Sequence, residues 1–290
     1  MFYRLKEQPE NEKLLRAEYL YLNRTYGIEK YPKELPICVT SAGRNLKQKN
    51  ESYKLYIDSM ARMNYTNFRL IYTDDNSDDG TATAMREYVD QNYPALSAKL
   101  KIVENKERVY SLANKDRMIR HHCNNENDII YDIDADDFLL GRQFFKVLNA
   151  VYQQGDNWLV YANYIMIEDK MLTKGYSKSL PDYLIADHSY RRLTFVTIGP
   201  RSFLRKLYIK IDEKEFQDEN GKFYIEISDG FIYTALAELA GVKHSCYIPE
   251  TPYFYDTYNI MGNLEVKREN DYIVRRKTPF QTMKNLEAKV

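Results

Sequence analysis

Apolar residues recur at helix and strand spacings along most of the 290-residue chain. Leu15, Tyr19, Leu22 and Tyr26 lie three or four positions apart, and Gly27 follows them. This spacing predicts an N-terminal amphipathic helix that ends at the glycine. A segment with two prolines comes next, which indicates a linker before the main folded unit.

From Ile37 onwards, short apolar segments alternate with segments of helical periodicity. Strands are predicted at residues 37–41, 67–73, 99–104 and 127–134, with helices between them around Tyr53–Met60, Met85–Val89 and residues 111–122. Such alternation is typical of βαβ units and predicts a parallel sheet. Ligands of these sheets bind beyond the carboxyl ends of the strands, so the polar residues there are the first candidates for a site.

After about residue 142 the alternation stops. Residues 158–168 predict one long strand, a loop-rich section follows, and residues 229–241 predict a helix. The stretch from about residue 262 is polar and rich in Lys and Arg, which indicates a mobile tail or a flap. The length fits one large α/β unit with an elaborated second half.

Charge and cysteine content narrow the class of protein. Lys plus Arg and Asp plus Glu both number 42, a balance that argues against a protein whose main partner is nucleic acid. Cys38, Cys123 and Cys246 are odd in number and far apart, so we expect no disulfide framework and a reducing compartment. We find no signal-peptide core and no run of 18 apolar residues, and therefore expect a cytoplasmic protein without a membrane span.

The strongest chemical signal is the segment Asp132-Ile-Asp134-Ala-Asp136-Asp137, at the end of the fourth predicted strand. Four carboxylates within six residues repel one another unless a cation binds there. Mg²⁺ and Mn²⁺ prefer oxygen ligands and can bridge to a diphosphate. A solvated acidic turn is the alternative, and the apolar strand directly before the segment favours the metal site.

A second acidic segment, Asp74-Asp75, follows the second predicted strand. A carboxylate at that place can accept a hydrogen bond from a nucleobase N–H. The residues after it, up to Gly80, have turn and helix-capping chemistry. A calcium loop is excluded, because Arg86 would occupy the position that requires a bidentate Glu.

The remaining candidates are single residues. Asp229 opens the helix predicted at 229–241, where a helix cap is the commoner role and a general base toward an acceptor hydroxyl is the alternative. The weaker candidates are cationic residues and histidines, each of which equally fits a structural or solvated position, and phosphate is the suggested ligand for all of them except His244. They are His188, Arg191, His244 and Arg275.

Taken together, these segments resemble glycosyltransferase family 2, the inverting enzymes with the GT-A fold. ICVTSAGRN is similar to the first strand and nucleotide-contacting loop of that family, and YDIDADD to its metal-binding DxD segment. DDNSDDGT and SDGFIYTALAELAG are similar to its second aspartate segment and its acceptor-side segment. The resemblance covers residues from about 36 to 257 and implies an α/β fold with a Rossmann-like, mainly parallel sheet flanked by helices.

The resemblance also implies roles for residues on the donor side. Asp74, and less directly Asp75, would hold a uracil-like base, while Asp136 would bind Mn²⁺ or Mg²⁺ and Asp134 would contact ribose or the metal. Other residues expected near the nucleotide sugar are Thr40, Ala42 and Asn114.

At two places the chain departs from the family pattern. Ser228 replaces the usual Glu before the catalytic base Asp229, which leaves Glu226 as the alternative base. Ala113 stands where the family often has an Arg, so a cation for the diphosphate would have to come from elsewhere, with Arg108 and Arg117 as candidates.

The implied activity is metal-dependent, inverting transfer of a sugar from a nucleotide-diphosphate donor, a UDP-sugar by preference, to a glycan or other hydroxyl acceptor. Residues 1–35 would form the N-terminal helix and linker, 36–141 the nucleotide-sugar-binding half, 142–261 the acceptor-binding half and 262–290 the tail. Two alternatives stay open, a sugar nucleotidyltransferase and a non-catalytic nucleotide-sugar-binding protein of the same fold. SAGRNLKQK partly matches a triphosphate loop, whereas the complete DxD segment speaks against the non-catalytic protein.

Overall fold

One twisted sheet organises the chain. A computed structural model describes residues 9–168, 171–181, 183, 189–192, 199–256 and 263–286. In this part of the chain the sheet has nine strands. Eight of them pair in the order β3-β2-β1-β4-β8-β6-β9-β5, and the ninth, β7, pairs with β6. The strands are β1 (Ile37–Gly43), β2 (Phe68–Asp74), β3 (Leu100–Glu104), β4 (Ile129–Asp132), β5 (Phe138–Leu139), β6 (Leu159–Glu168), β7 (Met171–Lys174), β8 (Arg201–Leu204) and β9 (Ser245–Tyr255).

Helices cover both faces of this sheet. They are α1 (Pro9–Tyr26), α2 (Tyr53–Ala61), α3 (Thr81–Asn92), α4 (Pro94–Ser97), α5 (Tyr110–Arg117), α6 (Phe144–Gln154), α7 (Arg205–Tyr208), α8 (Ser228–Ala240) and α9 (Leu264–Arg276). A π-helical turn, Met118–His122, continues α5. Within the described residues, no helix is both long enough and apolar enough to cross a membrane.

Strand alternation divides the interior into two cores. Ile37 and Val39 of β1 contribute to one buried cluster, while Cys38 between them contributes to the cluster on the opposite face. Ile130 of β4 packs into the same cluster as Cys38. Since successive side chains of a strand point to opposite faces, continuous apolar runs are what a sheet covered on both faces requires.

The pairing of the strands brings polar residues together at the carboxyl ends of the parallel strands. Strands β3, β2, β1 and β4 are parallel, so their carboxyl ends lie side by side. Strand β8 then pairs antiparallel with β4 and sets Arg201 opposite Asp132. Strand β6 pairs with β8 and, in parallel, with β9, where a register shift sets Tyr164 opposite Tyr253. The polar ends of β1, β2 and β4 and the start of β8 therefore meet in one region.

The helix and strand predictions hold for most of the first half and are incomplete in the second. The predicted N-terminal helix is confirmed, since α1 ends at Tyr26 and Gly27 has the left-handed backbone (φ 62°) that favours glycine. Residues 264–276, which lie in the predicted tail or flap, form α9. The side chain of Asn263 caps that helix and Val274 is buried in the second core cluster, so the helix is docked on the fold.

The cysteine prediction is also wrong. Cys38 of β1 and Cys123, just after the π turn, are fully buried and form a disulfide, and Cys246 is the free cysteine of the described residues. The two partners are 85 residues apart in sequence, and only the packing of α5 on β1 brings them together. The cysteines therefore do not support a reducing compartment.

Reduction of this disulfide should lower the free energy of unfolding by about 2–5 kcal/mol, because a loop of this length restricts the unfolded chain strongly. Urea unfolding with and without a phosphine reductant measures the change. A thiol count on the denatured, unreduced chain should give one free thiol, and three free thiols would show that the disulfide does not form.

Candidate active site

Two adjoining cavities open near the carboxyl ends of the parallel strands. The first has a volume of about 580 Å³ and the second about 490 Å³, and Asp134 and Asp229 line both. The first cavity is lined by Ala42, Gly43, Arg44, Asp75, Arg108, Tyr110, Ser111, Asn114, Asp134, Glu226, Asp229, Asn263 and Lys267. The second is lined by Lys115, Asp132, Ile133, Asp134, Tyr164, Met166, Ile167, Tyr176, Gly199, Arg201, Asp229, Tyr253 and Tyr255.

Asp74 is the last residue of β2 and Asp75 follows it, and of these two aspartates only Asp75 lines the first cavity. Asp75 accepts hydrogen bonds from the backbone N–H groups of Val109 (2.8 Å) and Tyr110 (3.0 Å), which fix its carboxylate at the cavity wall. Asp74 accepts from the backbone N–H of Ser77 at 2.7 Å and shapes the turn after β2. Burial raises the pKa of Asp74.

The two residues of β1 that were predicted near the nucleotide sugar, Thr40 and Ala42, also differ in whether they line the cavity. Ala42 lines the first cavity. Thr40 is fully buried and donates its hydroxyl to Asp132 at 3.2 Å, so it supports the strand end instead of facing the cavity.

Asn114 also lines the first cavity, and one polar group of its side-chain amide has no partner. Its Oδ1 accepts from Asn105 at 2.7 Å, whereas its buried Nδ2 has no partner in the structure. A buried donor without a partner costs about 1–3 kcal/mol, so an acceptor that reached this group would stabilise the site.

The two aspartates of the predicted metal site differ in environment. The Asp134 side chain is 44% exposed at the junction of the cavities, while Asp136 is more buried and lies 3.8 Å from Lys49 Nζ. Burial, together with repulsion from Asp134, raises the pKa of Asp136 to about 6. The neighbours Asp132 and Asp137 are buried and bonded within the fold, Asp137 to Tyr253 and to the backbone N–H of Asp256.

This pair of carboxylates fits a divalent cation. The described residues contain no group of three or more His, Cys, Asp or Glu side chains arranged to hold a metal. Mg²⁺ in phosphate-binding sites is commonly held by one or two carboxylates, with water and phosphate oxygens as the other ligands. Burial is the main cause of the raised pKa of Asp136, and a cation bound beside this carboxylate would stabilise its ionised form.

Two buried cations, Lys115 and Arg201, contact the carboxylates where the two cavities meet. The sequence did not indicate a role in the site for either of them. The Lys115 ammonium of α5 is buried and lies 2.7 Å from Asp132, 3.4 Å from Asp134 and 3.6 Å from Asp229. Arg201 of β8 donates to Asp229 at 2.9 Å. One signal for Lys115 was its spacing from the buried Leu112 and Ile119, which places a lysine on the apolar face of its helix.

Asp229 lines both cavities, and its carboxylate is ionised. Burial alone would raise its pKa, but Arg201 and Lys115 outweigh that effect and hold the pKa well below its ordinary value. The predicted alternative, Glu226, lines the first cavity only and has a positive φ of 68° just before α8. Ser228 contacts Ser111 at 3.1 Å through its hydroxyl.

The weaker cationic candidates differ in their position relative to the cavities. Arg108 lines the first cavity, stacks over the ring of Tyr110 and lies 3.9 Å from Asp75. Arg117 is exposed and does not line either cavity. His188 lies outside the described residues.

Three other candidates have contacts away from both cavities, so a role in the site is not supported for them. Arg191 is buried in a two-bond ion pair with Glu238, and Arg275 donates to the carbonyl of Arg191 at 2.9 Å. His244 is buried and stacks on Trp158, with ring centroids 3.6 Å apart.

The fold and the sequence together define the class of protein. The model of the family "Glycosyl transferase family 2" matches residues 50–212, more than half of the chain. The chain therefore belongs to glycosyltransferase family 2. A comparison with curated proteins gives no significant match.

Solved structures with a similar fold are GT-A glycosyltransferases. S. aureus TarS 1–349 in complex with UDP superposes with a TM-score of 0.58 at 12% identity, over 83% of this chain and 64% of that one. Mannosyltransferase PcManGT from Pyrobaculum calidifontis, in complex with GDP-Man and Mn²⁺, gives 0.52 at 16% identity over 84% and 66%. GalNAc-T7 with UDP, GalNAc and Mn²⁺ gives 0.53 at 12% identity over 87% and 53%.

These likenesses establish the GT-A fold predicted from the sequence. The chain spans less than two thirds of the length of the TarS fragments that it matches.

Proposed function

We propose that the chain transfers a sugar, with inversion, from a UDP-sugar to an acceptor hydroxyl in a metal-dependent reaction. The observation that carries the proposal is that Asp134 and Asp229 line both cavities. A donor in the first cavity and an acceptor in the second would meet between a metal-binding carboxylate and a base.

The lining of the first cavity supports a nucleotide-sugar donor. Asp75 is held rigidly at the wall, where it can accept a hydrogen bond from a base, and the unpartnered Nδ2 of Asn114 can donate to the nucleotide sugar. Arg108 supplies positive charge for phosphate. The UDP and GDP-Man bound by the similar structures are donors or donor products of this chemical class.

Asp134 and Asp136 would hold Mn²⁺ or Mg²⁺. The metal would neutralise the charge that develops on the leaving diphosphate. Lys115 contacts Asp134 from the protein side and would leave the exposed part of that carboxylate turned to the cavities.

Asp229 would act as the general base. Its carboxylate is ionised at neutral pH, and it would accept the proton of an acceptor hydroxyl as that oxygen attacks the anomeric carbon. Attack from the face opposite the diphosphate would invert the configuration. Arg201 and Lys115 would orient the carboxylate for this step.

The second cavity supports a glycan as the acceptor. Four tyrosines line it, together with Met166 and Ile167, and aromatic rings of this kind pack against the apolar faces of sugar rings while their hydroxyls bond to polar groups. The tyrosines are Tyr164, Tyr176, Tyr253 and Tyr255. The nucleotide half at residues 36–141 and the acceptor half at 142–261 would thus face each other across Asp134.

The proposal is tested by incubating the chain with a panel of UDP- and GDP-sugars, with Mn²⁺, Mg²⁺ or EDTA, and measuring the released nucleotide. We expect free UDP from at least one UDP-sugar in the presence of metal. Asp136→Asn should lower that turnover by about 100-fold or more, since a metal in such a site stabilises developing charge by several kcal/mol.

Asp78→Asn is the matched control, because Asp78 is exposed and pairs with Arg44 near the same cavity. It should leave turnover within about twofold, as expected for a surface ion pair. Unchanged turnover in Asp136→Asn would contradict the metal assignment, and release of pyrophosphate in place of UDP would indicate a nucleotidyltransferase.

A further inference from the structure

The C-terminal helix α9 brings a lysine to the first cavity. Asn263 and Lys267 belong to the lining, although α9 lies well beyond the residues that the family model matches. The helix is held in place by Val274, buried in the second core cluster, and by Asn270, which donates to the carbonyl of Ile225 at 2.6 Å. Lys267 therefore reaches the cavity from a docked element.

Lys267 differs from the other cations of this cavity in its lack of a counterion. Arg44 lies 3.4 Å from Asp78 and also donates to the carbonyl of Asn76, and Arg108 lies near Asp75. Across the residues that the structure describes, no ion pair or hydrogen bond is found for the Lys267 ammonium. A half-buried lysine in the wall of a cavity favours an anionic ligand there.

The helix amides are not the anion-binding groups. The side chain of Asn263 accepts hydrogen bonds from the backbone N–H groups of Glu265 and Val266, so these donors at the start of α9 are already satisfied. The side chain of Lys267 is what remains for a ligand on this wall. On the α5 side of the same cavity, the buried Nδ2 of Asn114 is a second donor without a partner.

Ala113 of α5 stands where the resemblance to the family implies an arginine for the diphosphate. Ala113 is buried in the fold, and Arg117 is exposed and does not line the cavity. Building on the proposed function, we propose that Lys267 binds the diphosphate of the nucleotide donor and takes over the role of the arginine that this chain lacks at position 113. Asn114 would complete the phosphate or sugar contact from the opposite side.

The proposal is tested by calorimetric titration of UDP and of uridine, at fixed Mg²⁺, into the wild-type chain and three variants. Lys267→Met should weaken UDP binding by about tenfold or more, the usual effect of one lost charge-assisted contact, and leave uridine binding unchanged. Lys267→Arg should retain most of the UDP affinity. Arg268→Met is the matched control, because Arg268 is the next residue of the same helix, is exposed and does not line the cavity.

The possible outcomes separate this inference from the function on which it rests. Equal UDP affinity in wild type and Lys267→Met would overturn it, as would an equal loss in Arg268→Met, which would indicate a general effect of charge. A wild-type chain that binds neither UDP nor uridine would contradict the proposed function itself. Melting temperatures of all variants show that any loss of affinity does not come from unfolding.

Discussion

Asp229→Asn should lower the rate of sugar transfer by about 10²–10⁴-fold while donor affinity stays within about twofold of wild type. The substitution keeps the shape of the side chain and its contact with Arg201, but an amide cannot accept the acceptor proton. Initial rates at saturating donor, together with calorimetric titration of UDP, measure the two quantities separately. A loss confined to turnover is the signature of a group that acts on the acceptor.

Glu226→Gln is the informative control for that experiment. Glu226 also lines the first cavity, but the second cavity does not include it. We expect Glu226→Gln to retain turnover within a few fold. If instead the Gln variant is inactive and Asp229→Asn is active, the base is Glu226 and the acceptor enters from the other side.

Lys115→Met should be among the most destabilising single substitutions in this chain. The lysine ammonium is buried against Asp132, Asp134 and Asp229, so its removal leaves three carboxylates facing one another without their shared cation. Breaking a buried ion pair from one side typically costs about 3–5 kcal/mol. Urea unfolding followed by circular dichroism gives the difference in free energy of unfolding.

Lys54→Met provides the comparison, since Lys54 pairs with Glu51 in a partly exposed ion pair three residues apart. A surface pair of this kind contributes about 0–1 kcal/mol. Equal destabilisation by the two substitutions would contradict the view that Lys115 anchors the junction. Near-normal stability of Lys115→Met would do so as well.

The sequence predicted the first half of the sheet because its signals are local. The apolar runs of β1, β2 and β4 are complete in themselves, and each is followed directly by its polar end. Asp75, Asp134 and Asp229 could be selected because each lies in a short acidic segment at the end of a predicted strand or the start of a predicted helix, and Asn114 was selected through the resemblance to the family. These residues do come together at the two cavities.

The parts that the sequence did not reveal depend on contacts between distant segments. Arg201 lies on the short strand β8, which has too few residues to show a period, and its role depends on antiparallel pairing with β4. Lys115 has one carboxylate partner on β4, one just after it and one on α8. The choice between Asp74 and Asp75 depends on a turn whose backbone amides come from the start of α5.

The walls of the second cavity are built largely from strand residues, and this has a consequence for changing the acceptor. Tyr164 and Met166 of β6 lie two positions apart and pair with Tyr253 and Tyr255 of β9. These positions follow the register shift, and pairing is continuous from Tyr164 to Met166, so a side chain there can be exchanged while the backbone hydrogen bonds around it remain. Acceptor preference in this chain should therefore be open to redesign by point substitution on two adjacent strands, without grafting loops from another transferase.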